Sequence, residues 1–125
     1  MNDQTLRPVR SILVVEDEPA IRVMLETMLE DLPVAVTMVA TADEGFLALQ
    51  SQAWELIITD VQTPGRSNGI ELASAAIELQ PKIQVIVMSG YHNAMGHPLP
   101  PGASFMSKPW SLEDFYALVD FHLSK

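Results

Sequence analysis

With 125 residues, 48% of them hydrophobic and 18% charged, the chain has the length and composition of one globular domain, expected over residues 1–125 with a core about 10–124. Sixteen acidic against seven basic side chains, a net charge of −9, argue against an electrostatic grip on nucleic acid or on an anionic membrane; the absence of cysteine excludes disulfides, thiolate nucleophiles and cysteine-zinc sites. Residues 1–10 lack the apolar core of a signal peptide and no run approaches membrane-spanning length, so the expected location is the cytoplasm.

In chain order, "SILVV" (11–15) is apolar throughout most of its length, the pattern of a strand buried on both faces. Pro19 suits the first position of a helix in which Ile21, Met24, Leu25, Met28, Leu29 and Leu32 recur at helical spacing, and Met24 and Met28 are expected in the core. "VAVTMV" (34–39) is mixed and suits a strand nearer an edge. Thr41 and Glu44 have capping-box spacing before a helix carrying Phe46 and Leu49. "LIIT" (56–59) reads as a second buried strand. Ile70, Ala73, Ile77 and Leu79 mark a third helix ending before Pro81, and "IQVIVM" (83–88) is a third buried strand. The short "SFMS" (104–107) is a last strand. Ser111 and Asp114 then resemble a cap on a helix with Leu112, Phe115, Leu118 and Val119. No internal repeat, low-complexity segment or linker interrupts this order.

Strands alternating with helices predict an α/β fold with a parallel sheet, because parallel neighbours need crossover connections. Right-handed crossovers cover both faces, and ligands collect at the carboxyl ends of the strands. Those ends carry Glu16, Asp17 and Glu18 after the first strand, Asp60 after the third, Ser89 and Gly90 after the fourth, and Lys108 and Pro109 after the fifth. Each has an ordinary explanation alone. Asp17 or Glu18 could cap the next helix, Asp60 could form a turn, Ser89-Gly90 could be a plain turn, and Lys108 could be a surface side chain. Together on one rim they make a chemical assortment that four separate accidents do not explain. Clustered carboxylates at neutral pH need protons or a cation, and an oxygen-only set suits magnesium.

In combination, "ILVVEDE", "LIITDVQTPG", "VIVMSG" and "FMSKPW" resemble the receiver domain of two-component response regulators, the CheY-like family, over nearly the whole chain. The resemblance implies a flavodoxin-like, doubly wound five-stranded parallel sheet in the order 2-1-3-4-5. It implies that Asp60 accepts a phosphoryl group from a histidine kinase or a histidine phosphotransfer protein, with Mg2+ (or Mn2+) as cofactor. Asp17 matches the acid that contacts the metal directly and Glu16 its partner acting through water. Gln62 would supply a backbone carbonyl to the metal. Ser89 matches the switch hydroxyl, Phe105 the switch aromatic and Lys108 the lysine that contacts the phosphoryl group. Pro109 matches a proline preceded by a cis peptide bond. A phosphoryl group on Asp60 would add charge and acceptor oxygens, and the resemblance implies that Ser89 would move toward it and Phe105 rotate into the vacated space. No turnover of a separate substrate is expected.

The chain departs from that family where a fourth helix is usual. In "GYHNAMGHPLPPGA", Gly96, Pro98, Pro100 and Pro101 leave space for about one helical turn around His92–Met95, so a shortened or irregular element is expected, which puts the usual symmetric dimer in doubt. "SGY" followed by a short Pro-rich segment resembles receivers attached to, or working beside, hybrid sensor kinases. Tyr91 and Gln62 would flank the path of attacking water. His92, His97 and His122 lack metal-site spacing and are expected in surface or loop positions, and Trp110 either lies partly exposed by the site or packs on the final helix. These 125 residues leave no room among themselves for a DNA-binding or catalytic effector domain, so the expectation is a stand-alone receiver that signals by contact, a phosphoryl sink or relay, or one domain of a larger chain. The alternative from another class is a phosphorylation-independent docking module with the same fold. An aspartyl-phosphate enzyme of the haloacid-dehalogenase kind would place two aspartates together after the first strand, a spacing absent here. A flavodoxin would have a phosphate cradle where this first loop is acidic.

Overall fold

A computed structural model describes residues 9–90 and 98–125. In chain order they form β1 (Arg10–Val15), α1 (Pro19–Glu30), β2 (Val34–Val39), α2 (Ala42–Leu49), β3 (Leu56–Asp60), α3 (Gly69–Leu79), β4 (Gln84–Ser89), β5 (Ser104–Ser107) and α4 (Leu112–Leu123). The strands make one sheet in the order β2-β1-β3-β4-β5, every pair parallel. This is the expected flavodoxin-like arrangement.

The apolar runs explain the layers. Successive side chains of a strand point to opposite faces, so a strand covered on both sides must be apolar at every position. Leu13, Val15, Ile57, Val85 and Val87 face α2 and α3, where Leu72, Ala73 and Ala76 complete one core. Ile12, Val14, Ile58, Ile86 and Met88 face α1 and α4, packing on Leu25, Leu29, Phe115 and Val119. β2 lies at an edge, as its mixed sequence suggests, with exposed positions alternating along its first half.

Local chemistry sets the helix starts. At α2, Glu44 N–H donates to the Thr41 hydroxyl (3.1 Å) while the Glu44 carboxylate takes Thr41 N–H (3.2 Å), the reciprocal box that the spacing predicts. α3 has the same box in Asn68 and Glu71, which the sequence reading did not single out although the N-x-x-E spacing was there. Ser111 accepts from Asp114 N–H at α4 (3.0 Å). Pro19 opens α1, but neither Asp17 nor Glu18 caps it with a side chain.

Several expectations change. Met28 is buried, whereas Met24 is 45% exposed, because α1 presents only the narrow stripe of Leu25, Met28 and Leu29 to the sheet. Leu32 falls beyond the helix end. His122, expected at the surface, is only 1% exposed. The last turn of α4 packs over the amino ends of β4 and β5, where Gln84 Oε1 lies 2.7 Å from Nδ1 and Ser104 Oγ lies 2.8 Å from Nε2, so the ring is buried with both nitrogens partnered. Trp110 is half-buried and stacks on Phe115 of the final helix. The shortened element expected at His92–Met95, together with Tyr91 and His97, lies outside the described residues. Pro98–Ala103 carry neither helix nor strand. Among the described residues no helix is long and apolar enough to cross a membrane.

Burial pulls the His122 imidazole below its ordinary 6.5, and the Lys125 ammonium pulls the same way. As pH falls the unfolded chain takes the proton first. The stability that rests on the neutral ring is complete above about pH 6.5 and is lost as pH drops through the lower folded value. The fall in urea midpoint between about pH 7.5 and about pH 5.5 should be smaller in His122→Gln than in the wild type. Equal falls in the two proteins would remove His122 from the pH dependence.

Candidate functional site

The carboxyl ends of β1, β3, β4 and β5 converge, as the connections require. Glu16, the first residue past β1, is 1% exposed, and its N–H continues the pairing toward β2 through the Val39 carbonyl (3.0 Å). Asp60 ends β3, and its backbone is held from two sides. The Thr59 hydroxyl donates to its carbonyl (3.0 Å), and the first turn of α3 packs so tightly there that a Cβ on Gly69 would meet that oxygen at 1.8 Å. Asp17 stands exposed beside them, and one carboxylate oxygen from each of Glu16, Asp17 and Asp60 lies within 4.8 Å of the others.

Lys108 closes the site from β5. Its Nζ donates to Glu16 Oε1 at 2.6 Å and to Asp60 Oδ2 at 2.8 Å. Its N–H donates to the Ser89 carbonyl at 2.8 Å, so the β4–β5 ladder fixes the base of the side chain. The Lys108–Pro109 peptide is cis, as the resemblance implies. Burial would lower the Lys108 pKa, but hydrogen bonds and charge from Asp60 and Glu16 outweigh it and raise the ammonium above its ordinary 10.5. The ion pair is therefore intact at neutral pH, and its contribution fades only as pH rises through the folded value. The second Glu16 oxygen, Oε2, accepts Glu18 N–H at 3.1 Å. Nothing in the residue types marks that backbone donor.

Three carboxylates against one ammonium leave two negative charges uncompensated at the rim. Hard oxygen donors with that excess fit a divalent cation such as Mg2+, and Glu16, Asp17 and Asp60 are the side chains that would hold it. Ser89 is buried at the end of β4, one residue past Met88, which pairs with Asp60. Phe105 pairs with Val87 and is half-buried against the α2–α3 core. Gln62 is exposed in the loop that follows β3. Sequence reasoning passed over Asp43 and Thr63, which tether that loop, because their partners are backbone groups or lie more than 20 residues away.

Comparison with known proteins gives the family and the fold. The family model of the response regulator receiver domain matches residues 12–120. The chain is 31% identical over 108 residues to the response regulator receiver protein CpdR of Brucella abortus, covering 84% of this chain and 89% of that one. Among solved structures, a CheY-like receiver domain protein from Methanospirillum hungatei superposes with a TM-score of 0.84 at 28% identity, covering 94% of this chain and 95% of that one. The receiver domain of the sensor histidine kinase PA1611 of Pseudomonas aeruginosa, solved with magnesium in its active site cleft, shares the fold at 20% identity (TM-score 0.78, covering 94% of this chain and 100% of that one).

Proposed function

Since the chain belongs to the response regulator receiver domain family, we propose that it is a phosphoacceptor that takes a phosphoryl group from a phosphohistidine onto Asp60 and signals by contact with another protein. The observation that carries this reading is the Lys108 ammonium held between Glu16 and Asp60 at the strand ends. An Asp60 oxygen attacks phosphorus, the bond from phosphorus to the donor imidazole nitrogen breaks, and the imidazole leaves with the bond's electron pair and takes up a proton. Such a transfer needs positioning and charge neutralisation more than covalent help.

The chain supplies both. Thr59 and α3 hold the Asp60 backbone, and Lys108 neutralises charge on the transferred group. When bound at Glu16, Asp17, Asp60 and the Gln62 carbonyl, Mg2+ (or Mn2+) would neutralise the phosphoryl oxygens. Ser89 then donates to one of those oxygens, and its movement lets Phe105 turn inward on the α2–α3 side of β5, changing the surface at that edge of the sheet. The donor is a histidine kinase or a histidine phosphotransfer protein, and no separate substrate is turned over.

Intact mass after incubation with acetyl phosphate or phosphoramidate tests this. One phosphoryl adduct is expected with magnesium, and none in its absence or in Asp60→Ala. Magnesium binding without an adduct from either donor would instead make the domain a phosphorylation-independent docking module.

A further inference from the structure

Two side chains outside the acidic rim act on the loop that leaves it. The loop runs from Val61 to Asn68, and its base is closed: Val61 N–H donates to the Met88 carbonyl (2.9 Å) and Gly69 N–H donates to the Val61 carbonyl (2.8 Å). Its far side is closed by α2. Asp43, in the first turn of that helix, accepts Arg66 N–H on Oδ2 and Ser67 N–H on Oδ1, both at 3.1 Å. Thr63 returns the contact. Its hydroxyl accepts Ala42 N–H from the same turn (3.0 Å) and donates to the Ser67 carbonyl (3.2 Å).

The clasp is built for a carboxylate. Gly65 sits at φ +108, a backbone region that L side chains rarely adopt, and a Cβ there would meet Asp43 Oδ2 at 2.4 Å. Arg66 N–H lowers the Asp43 pKa against a smaller opposing effect of burial, with Ser67 and the Arg66 guanidinium adding to the lowering, so the group is ionised at neutral pH. Charged acceptors make the stronger hydrogen bonds to backbone donors. Gln62 lies between two residues fixed in this way, Val61 by the sheet and Thr63 by α2. Its own side chain is exposed.

We infer that Asp43 and Thr63 are positioning residues that hold the Gln62 peptide at the acidic rim, so that the first turn of α2 sets the affinity of the site for a divalent cation. The inference rests on the proposed function for the role of the Gln62 carbonyl. The hydrogen bonds of both residues go to the loop and to the first turn of α2, so they act through the loop.

The test uses the full chain with MgCl2 as the titrant in isothermal calorimetry, alongside thermal unfolding in EDTA and amide exchange at Arg66 and Ser67. In Asp43→Ala the magnesium Kd should rise about tenfold, the equivalent of one net hydrogen bond to a charged acceptor. Asp43→Asn, which keeps one acceptor oxygen, should fall between that variant and the wild type. Thr63→Val should weaken binding severalfold without opening a cavity. Acetyl phosphate uptake should recover in all three at saturating magnesium, because the reacting groups are untouched. Faster exchange at Arg66 and Ser67 with an unchanged magnesium Kd would overturn the inference and leave the clasp as a stability feature. Should Asp43→Ala fail to fold, the Kd values of Asp43→Asn and Thr63→Val decide in the same way. A wild type that binds no magnesium removes the proposed function first and this inference with it.

Discussion

Lys108→Met is expected to slow phosphoryl uptake from acetyl phosphate at least ~100-fold, the scale of losing one preorganised charge-stabilising donor. The same variant should bind magnesium about tenfold more tightly. Lys108 holds the Glu16 and Asp60 oxygens that a divalent cation would also use, and a unit charge at roughly 5 Å from a divalent one is worth about 1–2 kcal/mol even with the dielectric of water. Opposite signs for affinity and rate separate a catalytic lysine from a structural counter-ion. Methionine keeps the apolar stem, so packing is disturbed little. Without metal the variant should lose about 2–3 kcal/mol, because Glu16 is left buried with its backbone donor alone. Magnesium should restore part of that loss. The checks are a time course of intact mass, a calorimetric titration and urea unfolding in EDTA. An unchanged rate of uptake would reduce Lys108 to charge balance.

Gly69→Ala should cost about 3 kcal/mol or more and lower Tm by roughly 10 °C. In an ordinary helix that change stabilises by up to about 1 kcal/mol, so the expected sign is inverted. The reason is the backbone of Asp60. The added Cβ would lie 1.8 Å from its carbonyl oxygen, 2.8 Å from the carbonyl carbon and 2.9 Å from the Thr59 hydroxyl. No rotamer relieves a clash with a carbonyl. Either α3 withdraws, breaking the hydrogen bond from Gly69 N–H to Val61, or Asp60 moves away from Lys108. Both routes damage the site as well as the fold, so magnesium affinity and phosphoryl uptake should fall together. A Tm within 2–3 °C of wild type, about 1 kcal/mol at this size, would show that the approach of α3 to β3 is looser than the structure has it.

Residue types in order were enough to determine the alternation of strands and helices, the parallel sheet and the rim on which Glu16, Asp17, Asp60, Ser89 and Lys108 collect. Periodicity and caps are local, and a strand buried on both faces has little freedom but to be apolar at each position. The Thr41–Glu44 box and the Ser111 cap were legible for the same reason. Met24 and His122 were misread because burial of a helical residue depends on which neighbours cover it. The α1 stripe turned out too narrow for Met24, and the polar ends of β4 and β5 could satisfy an imidazole.

Only the tertiary structure decided which atoms meet. Lys108 is separated from Glu16 by 92 positions and from Asp60 by 48, yet one ammonium hydrogen-bonds both. The Asp43 clasp and the second bond on Glu16 use backbone N–H donors, which every residue but proline carries, so composition cannot mark them. The approach of Gly69 to Asp60 is likewise a distance between main chains that no spacing of residue types encodes. The sequence by itself determined the chemistry at the strand ends; the packing of α2 and α3 against the loop after β3 decided how firmly that chemistry is held.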